Sequence, residues 1–185
     1  MLLLPRNTVF VRHGNSTKVA DPSLDSTRTL TEKGRAQAAA QAKRLSNLSF
    51  MSVMASSAAE RAMSTAHIVG GVDKIIAGLD SLYFPQDAND RKVSDAAFGE
   101  LLYSPLTQYL ARSDSSWMLR HGLKVLAEVA GVYEDFVHRI SDPADDYMLV
   151  AGHAVMLPLV ALLMYPKHAE QIMNVNMGEA DALVI

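Results

Sequence analysis

Thr8-Val9-Phe10-Val11 is a short β-branched and aromatic run that stops at charge and glycine in Arg12-His13-Gly14, the pattern of a buried strand feeding a loop. Thr31 then precedes Glu32 to Leu45, rich in Ala, Gln, Lys and Arg, which predicts a helix capped by Thr31. Phe50 to Ala55 reads as a second strand. Ser57-Ala58-Ala59-Glu60 follows with the spacing of a capping box and predicts a helix from about Ala58 to Val69, closed by Gly70-Gly71. Asp73 to Ala77 is a candidate third strand, whereas Leu79 to Gly99 shows no sustained period and reads as a long irregular loop. Val125, Val129, Val132, Phe136 and Ile140 step by 4, 3, 4 and 4, one buried helical face, which Asp142-Pro143 should end. Tyr147 to Ala151 is the next strand, broken by Gly152-His153. Ala154 to Tyr165 reads as a buried helix that tolerates Pro158 only in its first turn, and Ala182 to Ile185 as a last strand. Strands alternating with helices predict an α/β fold, a largely parallel sheet covered on both faces.

Composition narrows the function classes. The 185 residues carry 17 basic and 20 acidic side chains, net charge −3, which argues against a binder driven by neutralising nucleic-acid phosphates. With 49% hydrophobic and 20% charged residues and no linker or repeat, the chain reads as one folded domain. The absence of Cys removes disulfides, thiolate nucleophiles and cysteine-ligated metal sites. The apolar start Met1 to Leu4 is cut off by Pro5-Arg6, too short for a secretory signal, and no stretch approaches the ~20 apolar residues of a membrane span. A cytoplasmic protein without membrane attachment is expected. His67, His121, His138 and His168 show no ligand spacing, so no metal is expected.

In open parallel sheets, ligands bind beyond the carboxyl ends of the strands. Three strand ends carry chemistry here: Arg12-His13-Gly14, then Ser56-Ser57 with Arg61, then Gly152-His153. Two guanidiniums and two imidazoles would converge on one rim. Arginine offers a planar fork of donors that fits phosphate oxygens, so the expected guest is a phosphate. An imidazole kept neutral by neighbouring cations is an attractive nucleophile for phosphorus. Departure of an alcohol then needs a proton, and the acidic region from Asp80 to Glu100 can supply a carboxyl group.

Four segments resemble the histidine phosphatase superfamily, also called phosphoglycerate mutase-like. Val9 to Ser16 is similar to its Arg-His-Gly signature with a small polar pair, and Leu30-Thr31-Glu32-Lys33-Gly34-Arg35-Ala36-Gln37-Ala38 to its first helix start. Ser56 to Ala66 resembles its Ser-x-x-x-Arg-x-x-x-Thr-Ala segment, and Val150 to Ala154 its second histidine motif. The resemblance implies a three-layer sandwich around a mostly parallel sheet, a single domain over residues 1–185, and residues 79–145 as an inserted loop and helical region over the active site. It further implies His13 as nucleophile, Arg12, Arg61 and His153 holding the phosphoryl oxygens, and a cofactor-free and metal-free transfer through phosphohistidine.

The family commonly places a Glu four residues before a Gly that follows an aromatic residue. Asp95 stands at that spacing before Phe98-Gly99, one methylene shorter, with Glu100 as the fallback donor. Asn15 and Ser16 are candidates to bind phosphate or to cap the following turn, and Arg28 reads as a solvated cation. The function implied is hydrolysis of a small phosphorylated substrate. A phosphoglycerate mutase-type transfer, phosphohistidine hydrolysis in proteins and phosphate-ligand binding without turnover are the alternatives. Neither the substrate nor the oligomeric state is legible.

Overall fold

The structure, a computed structural model, describes residues 2–138 and 146–185; Ile140 and the predicted stop at Asp142-Pro143 lie outside them. Five strands, β1 (Asn7–Arg12), β2 (Val53–Ser57), β3 (Ile75–Leu79), β4 (Tyr147–Gly152) and β5 (Ala182–Val184), form one sheet in the order β3-β2-β4-β1-β5. The first four in that order run parallel, and β5 joins β1 antiparallel at the edge. Both β2 and β3 begin two or three residues later than their hydrophobic runs predicted. The polar Ser56 and Ser57 continue β2 because their backbones pair with β3.

Helices α1 (Glu32–Arg44) and α2 (Glu60–Gly70) cover one face; α5 (Ser116–Val137) and α6 (Met156–Met164) cover the other. Side-chain alternation along the strands separates the two cores. Val9, Val11, Leu149 and Ala151 pack with Ala38 and Ala66, whereas Phe10, Met148 and Val150 pack with Val125, Val129, Leu157 and Val160. The predicted apolar stripe of the long helix faces the sheet, with Val125, Val129 and Phe136 buried and Val132 partly so. Pro158 occupies the first turn of α6, where its missing N–H leaves no intrahelical bond unmade.

Two local expectations are corrected. Thr31 caps α1 as predicted, accepting from the Gly34 N–H at 3.0 Å. Ser57, by contrast, does not cap α2: Ala59 occupies the cap position, Ser57 remains in β2, and the Glu60 carboxylate accepts from Ser64 instead. The region from Leu79 to Gly99 is not an irregular loop. A turn of 3-10 helix at Asp80–Leu82 leads to α3 (Ala88–Leu101), whose cap Asp87 accepts from the N–H groups of Asn89 and Asp90 at 2.9 Å. Short α4 (Leu106–Leu110) and α7 (Ala169–Met173) are the remaining α-helices among the described residues. Among the described residues, no helix is long and apolar enough to cross a membrane.

Register positions the site. Arg12 on β1 pairs with Gly152 on β4, and Ser56 on β2 pairs with Ala151, so three strands end level with one another. The residues that follow, His13 and His153, therefore emerge side by side, close to Ser57 and the start of α2.

Candidate active site

The strand ends open into a cavity of about 700 Å³. Its floor holds His13 and His153, with ring centroids 5.0 Å apart. The His13 Nδ1 lies 2.8 Å from the Gly14 carbonyl, which can only accept, so the proton sits on Nδ1 and Nε2 carries the lone pair. Arg61 points its Nε–H at that lone pair from 3.4 Å. Burial, which outweighs the bond to Gly14, and the charges of Arg61, Arg12 and Arg28 bring the His13 pKa down from 6.5 to about 4. His153 is also held well below its usual value, first by burial and then by His13, Arg61 and Arg12. Its Nε2 lies 3.0 Å from the Ser57 hydroxyl. Both imidazoles are therefore neutral near pH 7.

Arg12 closes β1 with its side chain buried, donating to the Met177 carbonyl at 2.7 Å under the Tyr103 ring, whose centroid is 4.2 Å away. Its Nε is buried without a partner. Arg61 stands on the first turn of α2, 4% exposed. The glycine loop that carries His13 packs directly on α1. A Cβ on Gly34 would lie 1.9 Å from the Asn15 carbonyl oxygen, so only glycine admits this approach.

The sequence-derived residues thus divide into two groups. Arg12, His13, Arg61 and His153 line the cavity, as do Asn15, Ser16 and Asp95. Asn15 is already engaged: its amide donates to Glu179 at 2.9 Å and its carbonyl accepts from Thr31 at 2.7 Å. Ser16 accepts from Arg28 at 2.8 Å. Asp95 lies on α3, 72% exposed and 3.9 Å from Arg91. Glu100, which pairs with Arg112, is not among the cavity-lining residues.

Other site residues escaped the sequence reading. Arg28 is not a free solvated cation; it lines the cavity and pairs with Asp25 at 2.8 Å. Asp25 also receives Arg61 at 2.8 Å and the Tyr83 hydroxyl. Burial alone would raise the Asp25 pKa, but the bonds from Arg28 and Tyr83 and the Arg61 charge outweigh it and hold the carboxyl at about 2. Tyr83 packs on His153 with centroids 4.9 Å apart. Chemically, the arrangement offers a free imidazole nitrogen, two guanidiniums beside it, and room for a phosphorylated guest.

Comparison with known proteins fits this geometry. The family model of the histidine phosphatase superfamily (branch 1) matches residues 8–81. The sequence matches no curated protein. Among solved structures, a mycobacterial glucosyl-3-phosphoglycerate phosphatase superposes with a TM-score of 0.63 at 20% identity, covering 97% of this chain and 89% of that one. The same mycobacterial enzyme in complex with inorganic phosphate gives 0.62 at 19% identity, with coverages of 97% and 88%. A phosphoserine phosphatase from Entamoeba histolytica, in complex with 3-phosphoglyceric acid, gives 0.55 at 18% identity, with coverages of 96% and 89%. At these identities the likeness establishes the fold. The family match contains the ends of β1 and β2, so residues 8–81 are similar to the histidine phosphatase superfamily, and the fold of these solved phosphatases is shared along nearly the whole chain.

Proposed function

We propose that the protein is a metal-independent phosphatase that hydrolyses small phosphomonoesters through a phosphohistidine on His13. One observation carries the reading: His13 presents an unprotonated Nε2 to the cavity, with Arg61 at 3.4 Å and Arg12 on the preceding residue. A lone pair in that position can attack phosphorus in line. The fixed guanidiniums meet the charge on the transferring oxygens, the role a metal ion plays elsewhere. His153, neutral and 5.0 Å away, can donate a hydrogen bond to the same oxygens. Water then attacks the phosphoenzyme and returns His13 to its starting state.

The experiment is phosphate release from an aryl phosphate and a panel of phosphorylated metabolites in the presence of chelator, comparing the native chain with His13→Ala. Activity that survives the chelator and disappears in the variant supports the reading. A second reading, phosphate-ligand binding without turnover, is favoured by the exposed position of Asp95 and the outward pairing of Glu100. Phosphate binding by a native chain that releases none from any substrate would select it.

A further inference from the structure

Asp25 has no role in the reading above, yet it is tied to the centre of the site. It sits in a 3-10 turn, Pro22–Thr27, that buries no residue of its own. Arg61 donates Nη2 to the Asp25 Oδ2 at 2.8 Å and Nη1 to its backbone carbonyl at 2.5 Å. Arg28 donates to Oδ1 at 2.8 Å, and the Tyr83 hydroxyl donates to Oδ2. One planar guanidinium therefore has its Nε on the lone pair of His13 and its Nη2 on a carboxylate.

A phosphoryl group seated on His13 Nε2 and on the outward edge of Arg61 would meet the Asp25 carboxylate as its neighbour. It would compete for Nη2, leaving Asp25 with Arg28 and Tyr83. Losing a cation and gaining a dianion both raise the proton affinity of a carboxylate. Substrate binding would thus raise the proton affinity of Asp25 while its bonds from Arg28 and Tyr83 remain, and the proton it takes up comes from solvent as the phosphate docks. Among the described residues, the cavity-lining carboxylates are Asp25, Asp95 and Glu179. Asp95 pairs with Arg91 at the solvent side, and Glu179 is taken up by Asn15 and Gln37. Asp25 alone of the three bonds directly to Arg61, the arginine that touches His13.

We propose that Asp25 is the general acid of the first transfer and the general base of the second, an assignment that rests on the phosphatase reading. In the first step the His13 Nε2 lone pair forms the N–P bond. The P–O ester bond breaks with its electron pair on the leaving oxygen, which takes the Asp25 proton. In the second, Asp25 accepts a proton from water as the water oxygen bonds to phosphorus. The N–P bond then breaks, with its electron pair returning to Nε2.

The test is kcat/KM for the native chain and Asp25→Asn on a series of monoesters, from 2,4-dinitrophenyl through 4-nitrophenyl and phenyl phosphate to an alkyl phosphate. Loss of a general acid removes roughly 10²–10⁴-fold where the leaving group needs a proton, and far less where it does not. The expected result is a loss that grows from under about tenfold on the dinitrophenyl ester to above about 100-fold on the alkyl ester. Asp25→Glu should recover part of the alkyl activity. If Asn at position 25 prevents folding, Asp25→Ser is read on the same series. An equal loss on every ester would make Asp25 a mere support for Arg61 and overturn the assignment, as would no loss on any. A native chain that releases no phosphate and takes no label on His13 would overturn the phosphatase reading itself.

Discussion

Arg61 divides its donors between two partners of opposite character, the neutral His13 nitrogen and the Asp25 carboxylate. Removing it deletes the fixed charge nearest the attacking nitrogen. Losing one such donor to a charged transition state costs roughly 10²–10³ in kcat, so Arg61→Ala should fall by that factor in steady-state assays while phosphate binding weakens. An unchanged kcat would show that Arg61 merely anchors the Pro22–Thr27 turn. The residues legible in the sequence were those tied to a strand end: Arg12, His13 and His153 follow apolar runs directly, and Arg61 follows β2 by four positions. Asp25 and Tyr83 were not legible, because contacts spanning 36 and 58 residues give them their roles and no local pattern records those contacts; Arg28 is drawn into the site through its pair with Asp25.

At the level of the elements, the close approach of the His13 loop to α1 controls the site. Gly34→Ala ought to favour an isolated helix by about 1 kcal/mol on propensity. Here the new Cβ meets the Asn15 carbonyl, so overpacking should dominate and destabilise by about 1–3 kcal/mol, read from the denaturant midpoint at unchanged slope. Thr31 both caps α1 and donates to the Asn15 side chain, so Thr31→Ala should cost about 1–2 kcal/mol by the same measurement, toward the upper end for a cap. No loss would mean that the cap and the loop are independent of the fold's stability. Helix α1 was legible because composition and cap agree. Helix α3 was hidden because only Ala97 is fully buried and its apolar stripe, Val93, Ala97 and Leu101, is one residue wide, set among polar and charged positions behind the cap Asp87. Ser57 misled for the opposite reason: its spacing to Glu60 is right for a box, but sheet pairing keeps it in β2.

Across the whole molecule, a buried cluster of cations and neutral imidazoles links stability to pH. The His13 pKa is about 4 in the folded chain against 6.5 for a free histidine, so between those values the unfolded state binds the extra proton. Stability should therefore fall as pH drops from about 6.5 toward 4, and His153, shifted in the same direction, adds to the slope. Asp25, lowered from 3.8 to about 2, contributes stability that is fully present above its unfolded value and lost as pH falls through about 2. Denaturant titrations of the native chain and His13→Gln between pH 7 and 4.5 should show a shallower slope for the variant; identical slopes would contradict the shifted imidazole. The sheet order and the level ends of β1, β2 and β4 unite these groups, and that union underlies the proposed chemistry. It is tested most directly by rapid quenching of the native chain with a 32P-labelled aryl phosphate, followed by peptide mapping. The account predicts an acid-labile, alkali-stable label on the peptide containing His13, absent from His13→Ala. Phosphate release with no label on His13, or with undiminished rate in the variant, would contradict it.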